Sequence, residues 1–119
     1  MEAQKISGKL LTKDGEVDAS TITAPVVCYY FSAHWCPPCK KFTPNLAAFY
    51  NERNANGKKL EIIFVTSDRD EKSFKEYFAE MPWKCLDYSD RRTKEMLSSP
   101  MLFNVTGIPT LVLVDAMGR

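Results

Sequence analysis

Residues 26–31, Val26-Val27-Cys28-Tyr29-Tyr30-Phe31, form a near-continuous apolar run, and a helical pattern opens at Pro37 shortly after it. That handover constrains the fold more than any other part of the chain. An unbroken run of β-branched and aromatic residues suits a strand covered on both faces, which usually means a central strand of an α/β sheet. Leu60-Glu61-Ile62-Ile63-Phe64-Val65-Thr66 reads as a second such strand, and Thr110-Leu111-Val112-Leu113-Val114 as a last one. Between the first two, Phe42, Leu46, Phe49 and Tyr50 fall on one helical face, with Pro44 as a kink inside it and Asn56-Gly57 as its stop. Ser67-Asp68 offers N-cap chemistry for a second helix, whose inner stripe is Phe74, Tyr77, Phe78 and Met81 and whose stop is Pro82. A short third helix is expected over 92–97. Residues 9–12, ahead of the Lys13-Asp14-Gly15 turn signal, read as an edge strand, and Cys85 reads as a loop residue.

A chain of 119 residues carries one domain, expected over 1–119, with a core large enough to need no disulfide staples or structural metal. Its 16 Lys+Arg oppose 15 Asp+Glu, and basic residues adjoin only in pairs such as Lys40-Lys41 and Arg91-Arg92. This balance argues against nucleic acid or an acidic membrane as the main partner. No apolar segment follows Met1-Glu2-Ala3-Gln4-Lys5, and no stretch approaches the roughly 20 apolar residues of a membrane helix. A reducing cytosol is therefore the expected setting, with the nucleus as a second compartment. In a cytosolic chain a close cysteine pair suggests redox or metal chemistry.

Such a pair stands in Trp35-Cys36-Pro37-Pro38-Cys39. At a helix start, unsatisfied N–H groups and the positive end of the macrodipole favour an anion, so a Cys36 thiolate is expected to form more readily than that of a free cysteine. Pro37 suits the first helical turn, where its missing donor costs nothing. Two intervening residues return Cys39 to the same side, within disulfide reach of Cys36. The implied cycle uses Cys36 as the exposed nucleophile on a substrate disulfide and Cys39 as the resolving thiol, leaving a Cys36–Cys39 disulfide. A zinc knuckle has the same cysteine spacing but needs four ligands, and only His34, Cys28 and Cys85 remain to complete it. No metal site is expected. His34 reads either as a residue that tunes Cys36 or meets partners, or as a solvated loop residue. Trp35 reads as shielding and shaping the site, or as core. Cys28 reads as a buried filler, and Cys85 as a bystander or an exposed second thiol.

These motifs, with Phe42-Thr43-Pro44, Phe64-Val65-Thr66-Ser67-Asp68, Met81-Pro82-Trp83 and Gly107-Ile108-Pro109-Thr110-Leu111, resemble the thioredoxin superfamily, and within it the tryparedoxin and nucleoredoxin branch. The resemblance implies an α/β thioredoxin fold, a central mixed sheet flanked by helices, whose closing strand and helix would lie beyond Arg119. It implies that Pro109 is a cis-proline facing the dithiol, that Ile108 presents its main chain beside Cys36, and that the Trp83 loop borders the same surface. The implied activity is protein-disulfide reduction by a monomer with no bound cofactor. Its electrons would come from trypanothione, glutathione or a thioredoxin reductase and pass to protein disulfides, peroxiredoxin-type peroxidases among them. A redox-regulated binding module with little turnover is the alternative. Two departures stand out: Tyr30 occupies the place of the buried aspartate of thioredoxins, and Ser67 stands where tryparedoxins often have tryptophan.

Overall fold

The computed structural model describes residues 9–12, 15–18, 26–57, 60–68, 70–86, 88, 94–95, 105 and 107–115. In chain order the elements are β1 (Lys9–Thr12), β2 (Gly15–Asp18), β3 (Val26–Ser32), α1 (Pro37–Arg53), β4 (Leu60–Thr66), α2 (Glu71–Phe78), β5 (Lys84–Leu86) and β6 (Thr110–Asp115). They form one six-stranded mixed sheet in the order β2-β1-β5-β4-β3-β6. The two apolar runs at its centre, β3 and β4, pair in parallel with Cys28 opposite Ile62 and Tyr30 opposite Phe64. Every residue of β4 is buried, as is all of β3 after Val26. Because β3, β4 and β5 lie side by side in chain order, right-handed crossovers place α1 and α2 on the same face.

Strand alternation then divides the core in two. Cys28, Tyr30, Ile62 and Phe64 point to the helix side and pack with Leu46 and Tyr50 of α1 and Phe74, Tyr77 and Phe78 of α2. Val27, Tyr29, Phe31, Ile63 and Val65 point the other way and meet Leu10 and Leu86.

Several local expectations are corrected. The inner stripe of α1 is Cys39, Thr43, Leu46 and Tyr50. Phe42 and Phe49 lie one position off that stripe and are exposed, at 36% and 43%. The stripe is set by Cys39, which must face the sheet once the helix starts at Pro37. Pro44 lies inside the helix, as expected, and the helix ends at Arg53, before Asn56-Gly57. There Asn54 takes over, its side chain bonding both the N–H and the C=O of Leu60 at 3.0 and 2.9 Å. The cap of α2 is Asp70, whose carboxylate accepts the Ser73 N–H at 2.7 Å, so Ser67-Asp68 is free for another task. That helix stops at Phe78, ahead of Pro82.

β1 is not an edge strand. β2 pairs antiparallel outside it, with Thr12 opposite Gly15, whose φ of 125° is a backbone region that favours glycine. Cys85 lies in β5 and is fully buried, which removes the loop and exposed-thiol readings. Trp83 is buried as well, packed edge-on against Tyr30 and Tyr50 at 5.9 and 5.6 Å, so its ring belongs to the core and does not border the surface around Cys36. The helix expected over 92–97 falls largely outside the described residues, of which Lys94 and Glu95 are helical. Among the described residues no helix is long and apolar enough to cross a membrane.

Candidate functional site

Cys36 is the N-cap of α1, and Pro37 and Pro38 fill the first two helical positions. Both prolines lack an N–H, so the first turn offers the cap fewer donors than an ordinary helix start. The Cys36 N–H bonds back to the Ala33 carbonyl at 3.2 Å, and the Cys36 carbonyl accepts the Lys40 N–H at 3.0 Å. The loop is thereby closed on itself.

The ends of β3 and β4 clamp this loop from beside it. Asp68, 1% exposed, accepts the His34 N–H at 2.7 Å on Oδ1 and the Thr66 hydroxyl at 2.8 Å on Oδ2. The Trp35 indole donates to the Ser67 carbonyl at 3.1 Å while its ring remains 51% exposed. Trp35 is thus a surface residue of the site and not part of the core. The His34 ring stacks on Tyr77 with centroids 5.2 Å apart, and its Nε2 lies 3.9 Å from Glu80 Oε2. It is neither simply solvated nor free to turn.

The two thiols are free, and their sulfurs lie 2.6 Å apart. Both are more covered than expected. Cys36, taken from the sequence as exposed, retains 5% of its surface, and Cys39 none. The covering residue is Ile108, which packs against Ala33, Cys36 and Cys39 from the loop before β6. The Ile108–Pro109 bond is cis. Beside the pair runs a groove of about 330 Å³ bordered by Trp35, Ser67, Lys94, Gly107 and Ile108. Burial raises the Cys39 thiol above its ordinary range and the bond to Cys36 adds to this, while Ser32 and the Ala33 main chain pull the other way.

Beneath Cys39 lies a set of hydroxyls that the sequence did not flag. Ser32, Thr43 and Tyr77 are all buried there, joined by Tyr30, the residue in the place of the usual aspartate. Thr43 could have been suspected, since it stands one helical turn after Cys39, and Ser32 as the polar end of an apolar strand. Cys28 and Cys85 lie within β3 and β5, in the helix-side core cluster. Among the described residues no group of three or more His, Cys, Asp or Glu is placed to hold a metal ion.

A parallel βαβ core, an antiparallel strand preceded by a cis-proline, and a dithiol at the N-terminus of the crossover helix together define a thioredoxin fold. The chain belongs to the Thioredoxin-like family, which it matches over residues 25–119. It is 43% identical over 118 residues to a nucleoredoxin of Danio rerio, covering 98% of this chain and 28% of that one. It is 41% identical over 107 residues to a tryparedoxin of Trypanosoma brucei brucei, covering 90% of this chain and 72% of the other. Among solved structures, tryparedoxin II complexed with glutathionylspermidine superposes with a TM-score of 0.86 at 35% identity, over 98% of this chain and 79% of that one. The chain thus spans little more than a quarter of the nucleoredoxin it matches.

Proposed function

We propose that residues 1–119 act as one thioredoxin-like unit, a thiol-disulfide oxidoreductase that cycles Cys36 and Cys39 between dithiol and disulfide. The observation that carries this reading is the pair of free sulfurs 2.6 Å apart at the start of α1, packed against Ile108. Of the two, only Cys36 keeps any surface, so it is the sulfur a disulfide can reach. Its thiolate attacks, a mixed disulfide forms, and Cys39 displaces the reduced substrate. Trp35, His34, Pro37, Pro38, Ile108 and Pro109 shape the approach, with the groove beside Trp35 receiving the substrate chain. Protein disulfides are the substrates, peroxiredoxin-type peroxidases among them. The glutathionylspermidine complex of a structural relative supports a glutathione-type thiol such as trypanothione as donor; glutathione and a thioredoxin reductase are the other candidates. No bound cofactor is required. The cycle runs in the reducing direction in the cytosol or nucleus, on a monomer.

Insulin reduction with dithiothreitol as donor tests the reading. Wild type should turn over, Cys36→Ser should not, and Cys39→Ser should accumulate a mixed disulfide. Absence of wild-type turnover, with a partner bound in one redox state only, would instead favour a redox-regulated binding module. A reduction potential as high as those of strong periplasmic oxidants, roughly −120 mV, would overturn the reducing direction.

A further inference from the structure

Alternate residues of β3 bring Tyr30 and Ser32 to the helix side of the sheet, where α1 supplies Thr43 and α2 supplies Tyr77. Their hydroxyls form one chain. Tyr30 Oη lies 2.7 Å from Thr43 Oγ1, Thr43 bonds Tyr77, and Tyr77 Oη lies 2.8 Å from Ser32 Oγ. At its near end Ser32 counts among the side-chain partners that pull the Cys39 thiol down against its burial. At the other end the Cys39 carbonyl lies 2.9 Å from the Thr43 hydroxyl, 3.3 Å from that of Tyr77 and 3.5 Å from that of Tyr30, and accepts from whichever of them is not donating along the chain. All four side chains are at most 3% exposed.

A hydroxyl donates one proton and accepts on two lone pairs, so such a chain can run in either direction. With Cys39 as a thiol, the hydroxyls donate away from sulfur and end on the carbonyl. With Cys39 as a thiolate, they reverse: Tyr30 donates to Thr43, Thr43 to Tyr77, Tyr77 to Ser32 and Ser32 to sulfur. A buried anion lacking such donors is strongly disfavoured. The nearby buried carboxylates are committed elsewhere, Asp68 to His34 and Thr66, and Glu61 to Lys84 and Tyr50.

We infer that this buried hydroxyl chain sets the protonation of Cys39 for the resolving step, with Ser32 as the catalytic donor to its sulfur and Tyr77, Thr43 and Tyr30 as positioning residues behind it. The inference rests on the dithiol cycle proposed above. In that step the Cys39 S–H gives up its proton, a Cys39–Cys36 S–S bond forms, the Cys36–substrate S–S bond breaks, and the leaving thiolate is protonated. No further oxidant or reductant enters; the hydroxyls only reorient. The titratable groups around Cys39 are Cys36 at the start of its own helix, Tyr30 from β3 and Tyr77 from α2. His34 stacks on Tyr77, with Asp68 on its N–H and Glu80 near its ring, and Ile108 brings no titratable group.

Rapid mixing of the reduced full chain with dithiobis(nitrobenzoate) gives two bursts of coloured thiol, the first from attack by Cys36 and the second from resolution by Cys39. Across a pH series, Ser32→Ala and Tyr77→Phe should raise the midpoint of the second phase by about one pH unit, or about tenfold in rate below it. The alkaline plateau of the second phase should stay as in wild type. Thr43→Val should shift the midpoint less, and Thr43→Ser should restore it. An unmoved midpoint in Ser32→Ala and Tyr77→Phe overturns the inference. If Ser32→Ala does not fold, Tyr77→Phe carries the same expectation with its ring still in place. A wild-type chain with no second phase removes the dithiol cycle itself, and this inference with it.

Discussion

Asp68 is the residue on which the geometry of the Cys36 loop turns. It is buried, it stands on β4's side of the cleft, and it holds the loop of β3 through the His34 N–H. Its second oxygen is fixed by Thr66, whose hydroxyl also accepts the Asp68 N–H at 2.9 Å. Asp68→Ala leaves the buried Thr66 hydroxyl and the part-buried His34 N–H without an acceptor, and the buried one alone costs about 1–3 kcal/mol when unrelieved. We expect a lower urea midpoint and a slower attack by Cys36 on dithiobis(nitrobenzoate). Asp68→Asn keeps one acceptor oxygen and should lose less of both. Equal urea midpoints for wild type and Asp68→Ala would remove the clamp from the account. The sequence pointed to Asp68 as a helix cap because an Asp ahead of an apolar helical stripe has that role most often. Asp70, two positions on, has the same chemistry and sits where the helix starts. The cysteine pair was legible because its spacing is local. The hydroxyl chain was not, because Ser32, Thr43 and Tyr77 meet only through strand pleat and helix packing.

At the scale of elements, length decided what could be read. β3 and β4 have seven residues each and carry their own apolar signature, as α1 does over 17. β5 has three residues directly after Pro82-Trp83, and β2 has four with one apolar side chain, too few to show a period. β5 is secured partly by charge. Glu61, 2% exposed at the second position of β4, receives Lys84 Nζ at 2.6 Å and the Tyr50 hydroxyl at 3.1 Å. Replacing Lys84 strands a buried carboxylate, and breaking such a pair costs about 3 kcal/mol. Lys84→Met should therefore be destabilised by about that amount in urea. Adding Glu61→Gln, which removes the stranded charge, should recover part of the loss. If the double variant is no more stable than Lys84→Met, the carboxylate is not what the lysine compensates.

For the molecule as a whole, the helix side of the core collects groups that resist ionisation. Burial pushes the Cys28 thiol from an ordinary 9.0 up to about 11. Burial raises Tyr50 also, with the Glu61 charge adding to it, and burial raises Tyr77. In the unfolded chain these groups release their protons at their ordinary values, while the folded chain holds them longer. Above pH 9 the unfolded state therefore binds fewer protons than the folded one, and stability must fall as pH rises. For Cys28 the contribution is complete below about pH 9 and is lost as pH climbs through about 11. At the acid end the sign reverses. Ser73 holds the Asp70 carboxyl below its usual 3.8, so that contribution is present above this value and disappears as pH drops below it. Denaturant titrations over pH should accordingly give a plateau through neutrality and a decline that begins near pH 9. Cys28→Val keeps the volume and removes the thiol, so it should flatten the early part of that decline and leave the later part, where the tyrosines ionise. A Cys28→Val curve parallel to wild type between pH 9 and 11 would assign the decline to other groups.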